Sequence, residues 1–151
     1  MGEITVDFCI EIEEPGWPPI SVEGLKSAFI HPNRARIDNT PFFAKSVSLG
    51  DIVSVIAKEN NTKFDFVEVV EISGNSSISI ILRDDYRKDE IISSLSRLEC
   101  FIEYGLFGET RMLAVSIPKS IDYRSIRECL IGLEKEDKIS FAELCLEHRS
   151  Y

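Results

Sequence analysis

Long apolar runs, basic charge and clustered cysteines are what this 151-residue chain has least of. No stretch approaches the roughly 20 apolar residues of a membrane-spanning helix, and Met1 to Glu14 has neither the basic start nor the apolar centre of a signal peptide. The chain is therefore expected to stay in the cytoplasm and to have no membrane partner. Lysine and arginine number 17 against 26 aspartates and glutamates, a formal charge of −9. Such a field repels nucleic-acid phosphates and draws basic proteins. The four cysteines (Cys9, Cys100, Cys129, Cys145) stand far apart, each within an apolar-patterned segment. That excludes the dense spacing of a secreted disulfide scaffold and points to buried, reduced thiols.

Catalytic material is equally sparse. There are two histidines, His31 beside Pro32 and His148 near the end, so a nucleophile–histidine relay has few bases to draw on. Cys145 and His148 have Cys-x-x-His spacing, but no second ligand pair accompanies them, and structural zinc needs four ligands. No Walker loop or dinucleotide fingerprint occurs, and Gly105-Leu-Phe-Gly108 is too sparse to cradle phosphate. No catalytic residue, cofactor or metal is expected. The many carboxylates read as a solvated face.

What the chain does have is strand patterning. Ile4 to Ile12 alternates with period two, as a strand with one face on a core. Glu14-Pro15-Gly16-Trp17-Pro18-Pro19 breaks it, and Trp17 is expected to pack as a lid over a core edge. Ser21–Ile30, Arg34–Asp38, Ile52–Ala57 and Phe64–Ile72 read as further strands, with Asn60 and Asn61 marking a turn. In Leu49-Gly50-Asp51, Gly50 supplies a positive φ, and Asp51 is expected to bond its own backbone further on.

From Ser73 the texture changes. Ser77–Leu82 alternates as a strand, and Ile91, Leu95 and Leu98 make one stripe of a helix from Lys88 to Glu99, with Asp85 or Asp89 as its cap. A hairpin, Cys100–Tyr104 and Met112–Ile117, is expected to turn around Gly105 and Gly108. A helix beginning at Asp122 carries Ile126, Leu130 and Leu133 on one face, and Ile139–Leu146 closes the set. The expected fold class is α+β: a β-rich small sheet or partial barrel over residues 1–73, then a ferredoxin-like βαββαβ unit over 74–151, as two subdomains or as one compact domain. RNA-recognition sheets of that type stack bases on aromatics, and here the strands offer Ile78, Ile80, Leu113 and Val115 instead, so no nucleic-acid partner is expected.

The string Pro41-Phe42-Phe43-Ala44 with Val47, Gly50-Asp51 and Val53 resembles an uncharacterised bacterial family of small acidic cytosolic proteins, a domain of unknown function. The likeness continues through Val69-Val70-Glu71, Ser73 to Ser77, Leu113-Ala114-Val115 and Glu143 to Leu146, from about Gly24 onward. It implies membership without chemistry, and the motif residues Pro41, Phe42, Phe43, Ala44, Gly50 and Asp51 are read as structural. In size and charge the chain is also similar to toxin immunity proteins.

These expectations converge on a non-enzymatic binding protein, an immunity or antitoxin-like inhibitor that blocks a basic partner, with a nuclease toxin as the candidate. Glu13, Glu14, Trp17, Asp84 and Asp85 are the expected contact residues. The alternative is an enzyme or small-ligand domain with a cleft between the two halves, where Phe42, Phe43 and Asp51 would lie.

Overall fold

The structure, a computed structural model, describes residues 2–83 and 87–148. Five strands, β1 (Glu3–Cys9), β2 (Val22–Ile30), β3 (Arg34–Ile37), β4 (Ile52–Glu59) and β5 (Lys63–Glu71), form a closed barrel. Neighbouring strands are antiparallel, except that β1 closes against β5 in parallel, with Val6 opposite Phe64. Period-two alternation builds this: Ile4, Val6 and Phe8 of β1 point inward with Leu25, Ala35, Ile37, Val53, Val55 and Phe64. Asn60 and Asn61 turn β4 into β5 at φ 48° and 55°, a region asparagine tolerates.

The rest of the chain runs β6 (Ser76–Leu82), α1 (Lys88–Arg97), β7 (Phe101–Phe107), β8 (Thr110–Ile117), α2 (Tyr123–Lys135) and β9 (Ile139–Cys145). The strands form one antiparallel sheet in the order β7-β8-β6-β9. Both helices lie on one face: Ile91, Leu95, Ile126 and Leu130 pack over Ile78, Ile80, Leu113 and Val115. The whole is a β-rich α+β fold.

Several local expectations need correction. β1 ends at Cys9 rather than Ile12, although the Ile10 amide still reaches the Ser21 carbonyl at 2.8 Å. β7 runs straight through Gly105, and the hairpin turns at Gly108-Glu109 with Gly108 at φ 64°, because glycine frees only the position that needs a left-handed residue. Asp89 does not cap α1: it lies in the first turn and Arg87 occupies the cap without a side-chain bond, while Asp85 lies outside the described residues. On α2 the Asp122 carboxylate does cap, accepting from the Arg124 amide at 3.1 Å.

The cysteines divide. Cys100 and Cys145 are buried, Cys129 is half-buried, and Cys9 is exposed on the outer face of β1, so uniform burial does not hold. Burial pushes the Cys100 thiol from 9.0 to about 11 and raises Cys145 as well. Because the unfolded thiol ionises first, its contribution is fully present below about pH 9 and is lost as pH climbs through about 11. Urea unfolding should therefore show a decline over that window, with at most about 3 kcal/mol assignable to Cys100. Cys100→Ala should flatten that share; an unchanged slope would remove the thiol as its source. A neutral-pH alkylating reagent should modify Cys9 first and leave Cys100 and Cys145 untouched until unfolding.

Candidate functional site

The segment from Asn39 to Asp51, between β3 and β4, lies where the barrel meets the sheet. Ala44 and Val47 pack into the barrel core, while Phe42 and Phe43 meet Phe107 of β7 at ring distances of 5.2 and 4.9 Å. Three carboxylates fasten this segment by its backbone. Glu23, buried on β2, accepts from the amides of Phe42 (2.7 Å), Phe43 (3.1 Å) and Ala44 (2.8 Å). Glu103 of β7 accepts from the Thr40 amide at 2.8 Å and the Asn39 side chain at 3.2 Å. Asp51 accepts from Ser48 (2.9 Å) and Ser73 (2.8 Å), so it bonds backward and across the chain rather than only forward. Charge-assisted bonds of this kind are about twice as strong as neutral ones.

The sheet face turned away from the helices receives this segment. Strand register places Ser77, Ser79, Ile81, Met112, Ala114 and Ser116 on it, mostly small side chains that let the barrel side approach. Gly105 belongs to the same arrangement, since a Cβ there would lie 2.8 Å from Phe42 Cζ. Ile78, Ile80, Leu113 and Val115, compared above with base-stacking aromatics, instead lie under the helices.

Between the two layers a cleft of about 190 Å³ remains, lined by Trp17, Phe42, Phe43, Ser79, Ile81 and Met112 among others. Trp17 is presented by a tight turn: Pro15 is followed by Gly16 at φ 81°, and the Trp17 amide donates to the Glu14 carbonyl at 2.9 Å. Its ring is half-buried, edge-on to Phe43 at 5.8 Å, and so forms a wall of the cleft. At the mouth, exposed Lys45 pairs with Glu13. Two further hollows, of about 200 and 400 Å³, share Lys45 and continue past Cys9, Glu11, Asp7, Asp65 and Phe66. The result is an acid-bordered groove ending in an aromatic cleft. Lys58 bridges Asp7 (3.1 Å) and Asp65 (3.6 Å) along it, and its hydrogen bond to Asp7, then the charge of both carboxylates, raise its pKa.

Of the expected contact residues, Glu13 and Trp17 thus border one cleft and Glu14 sits exposed in the adjoining turn; Asp84 and Asp85 lie outside the described residues. Of the alternative trio, Phe42 and Phe43 line the cleft, but Asp51 is buried on its two amides elsewhere. Pro41 and Ala44 are buried, and Gly50 takes φ 89° as expected. Sequence reasoning passed over Glu23, although β2 alternates Glu23, Leu25 and Ser27 inward, and a glutamate at a core-facing register is itself informative.

A serine–histidine contact occurs at the other end of the sheet. Ser76 Oγ lies 2.6 Å from His148 Nδ1, and His148 Nε2 lies 2.9 Å from the Pro118 carbonyl. A carbonyl only accepts, so Nε2 carries the proton and the hydroxyl donates to Nδ1. Ser76 Oγ also accepts from the amides of Glu147 and His148 and is fully buried. It is a clasp for the segment after β9, enclosed on every side, rather than an accessible nucleophile. With both imidazole nitrogens engaged, His148 has none to offer a metal, and among the described residues no group of three metal-ligating side chains gathers. Nor, among those residues, is any helix long and apolar enough to cross a membrane.

Barrel, sheet, helices and interlayer cleft define a small β-rich α+β protein. The chain belongs to the family described as Domain of unknown function (DUF4265), which it matches over residues 23–141. Membership of an uncharacterised family, expected above, therefore holds. The chain is also similar, at 26% identity and a TM-score of 0.74, to a solved structure described as a novel crystal structure of a hypothetical protein from Neisseria gonorrhoeae; the likeness covers 99% of this chain and 98% of that one. No curated protein matches.

Proposed function

We propose that this protein is a non-catalytic binding module, and that its site is the aromatic cleft with the acid-bordered groove leading into it. The observation that carries this is the convergence of Glu13, Trp17, Phe42 and Phe43 on one cleft beside Asp7, Glu11 and Asp65, where the carboxylates outnumber Lys45 and Lys58, the two lysines that pair with Glu13, Asp7 and Asp65. Desolvated aromatics inside an acidic border suit an anchor residue of a basic protein. An immunity or antitoxin-like inhibitor, cytoplasmic and directed at a basic toxin such as a nuclease, is the form of that reading we favour. We read residues 1–73 and 74–151 as two subdomains, the second a ferredoxin-like unit, which its antiparallel strand order supports.

The test is co-purification from the native bacterium with the wild-type chain, with Glu13→Lys and with Ala142→Trp, whose exposed site lines the cleft and where an indole would plug it. A basic partner held by the wild type and lost with Ala142→Trp is expected. Capture indifferent to both substitutions, or turnover of a small substrate, would sink the proposal. Association with that partner should slow as salt rises, because charges beyond about 8–10 Å are screened at physiological ionic strength, while dissociation changes little.

A further inference from the structure

We propose that the free edge of β7 pairs with β7 of a second copy of this chain, antiparallel and centred on Tyr104, so that two four-stranded sheets join into one of eight strands. The two edges of the sheet are built differently. On β9 outward groups are already taken: the Phe141 amide donates to the Glu134 carboxylate at 3.2 Å, and the Leu144 carbonyl accepts from the Ser46 amide at 3.0 Å. β7 carries none of the devices that keep an edge unpaired. Its sequence, Phe-Ile-Glu-Tyr-Gly-Leu-Phe, has no lysine, arginine or proline, and its register on β8 runs without a bulge. Its one carboxylate, Glu103, is engaged by Thr40 and Asn39.

The hairpin fixes which backbone groups face outward. Phe107 and Thr110 flank a two-residue turn and so form a hydrogen-bonded pair, as do Gly105 with Met112, Glu103 with Ala114 and Phe101 with Ser116. The N–H and C=O groups of Ile102, Tyr104 and Leu106 therefore point away from β8, and no partner meets them among the described residues. Exposed apolar side chains gather on the same strand: Phe101 is 59%, Leu106 60% and Tyr104 42% exposed. Register puts Phe101 on the barrel face and the other two on the helix face, so neither layer closes over the edge.

Symmetry selects the occupant. Three outward residues spaced evenly about Tyr104 are complementary to their own reverse. Tyr104 meets Tyr104 of the second copy, Ile102 meets Leu106, and the three outward amides of each copy find the three outward carbonyls of the other. A centre on Glu103 would set two carboxylates face to face, and a centre on Gly105 would leave the Ile102 groups unmet. In the centred register Glu103 falls opposite Gly105 and Phe101 opposite Phe107, an aromatic pair in place of a like-charged one. Lys88 already holds the Tyr104 ring at 4.2 Å, which limits the freedom lost on pairing. β7 is also the edge remote from β9, whose Ser140, Phe141 and Ala142 line the cleft, so pairing leaves the cleft open and does not depend on the binding function proposed for it.

Sedimentation equilibrium of the full chain tests this. The interface is small, so a monomer–dimer equilibrium in the micromolar range is expected. With a charge of −9 on each copy, the dimer should tighten as salt rises, opposite in sign to capture of a basic partner. Leu106→Lys and Tyr104→Lys, both at exposed positions, should each weaken the dimer about tenfold or more with circular dichroism unchanged, whereas Ala142→Trp should leave it as it is. Oxidation reads the register in a Cys9→Ser background, which removes the exposed thiol. Tyr104→Cys should form an intermolecular disulfide, because facing Cα atoms lie about 5.5 Å apart, while the Leu106→Cys thiols sit four residues apart across the axis, beyond bridging reach. A monomer at about 200 µM, a dimer indifferent to both lysines, or a disulfide through Leu106 rather than Tyr104 would overturn the inference. A monomer that still captures a basic partner removes this inference alone, and a dimer that captures none removes only the wider proposal.

Discussion

Glu23→Ala should destabilise the protein by at least about 3 kcal/mol, because it strips the acceptor from three consecutive amides at once. Each bond to an ionised carboxylate contributes about 1.5–3 kcal/mol, and a buried amide left unmet adds its own desolvation penalty. Local relaxation toward water recovers part of the loss, which sets the expected effect below the simple sum of the three bonds. Glu23→Gln is the informative companion. Its one remaining oxygen can serve Phe43 and Ala44 from the position of Oε1, but its amide nitrogen then faces the Phe42 N–H, donor against donor. Stability should therefore fall in the order wild type, Gln, Ala when measured by urea unfolding. Equal stability of all three would mean the amides find other acceptors and that Glu23 does not fasten the segment.

Phe43→Ala is the second large effect, expected at about 3–5 kcal/mol. The ring is 6% exposed and meets Phe107, Trp17 and Phe42 at centroid distances of 4.9, 5.8 and 6.5 Å. Truncation removes the shared member of this group and enlarges the adjoining cleft, so transfer and cavity terms add. Phe42→Ala should cost less, since that ring is only half-buried. Calorimetry decides between core and interface. A Phe43→Ala protein that melts normally but no longer holds its partner would move the ring from scaffold to contact surface.

The strands and both helices were legible because each carries its own period: Ile4, Val6 and Phe8 at two, Ile91 and Leu95 or Ile126 and Leu130 at about three and a half. The hidden part was what covers the far face of the sheet. Ser77 and Ser79 look in sequence like the wet side of a half-buried strand, yet both are buried, because a second layer that no local pattern announces lies over them. The same blindness applies to the cleft. Trp17 and Phe43 were each legible as aromatics with something to pack on, whereas their meeting with Ser79 and Met112 depends on contacts across widely separated stretches of chain. Cys9 was misjudged for a smaller reason: the alternation that turns Ile4, Val6 and Phe8 inward puts Cys9 on the outer face of β1, and a cysteine's apolar character is no guide against that register.

The parallel pairing of β1 with β5 also has a bearing on synthesis. The first strand made must wait for residues 63–65 before its second edge is satisfied, so barrel closure comes roughly sixty residues of synthesis after β1 itself. Phe42 waits longer still, since Gly105 and Phe107, which cover it, are made later. For that interval the nascent barrel displays an aromatic face with nothing over it, a natural foothold for a chaperone.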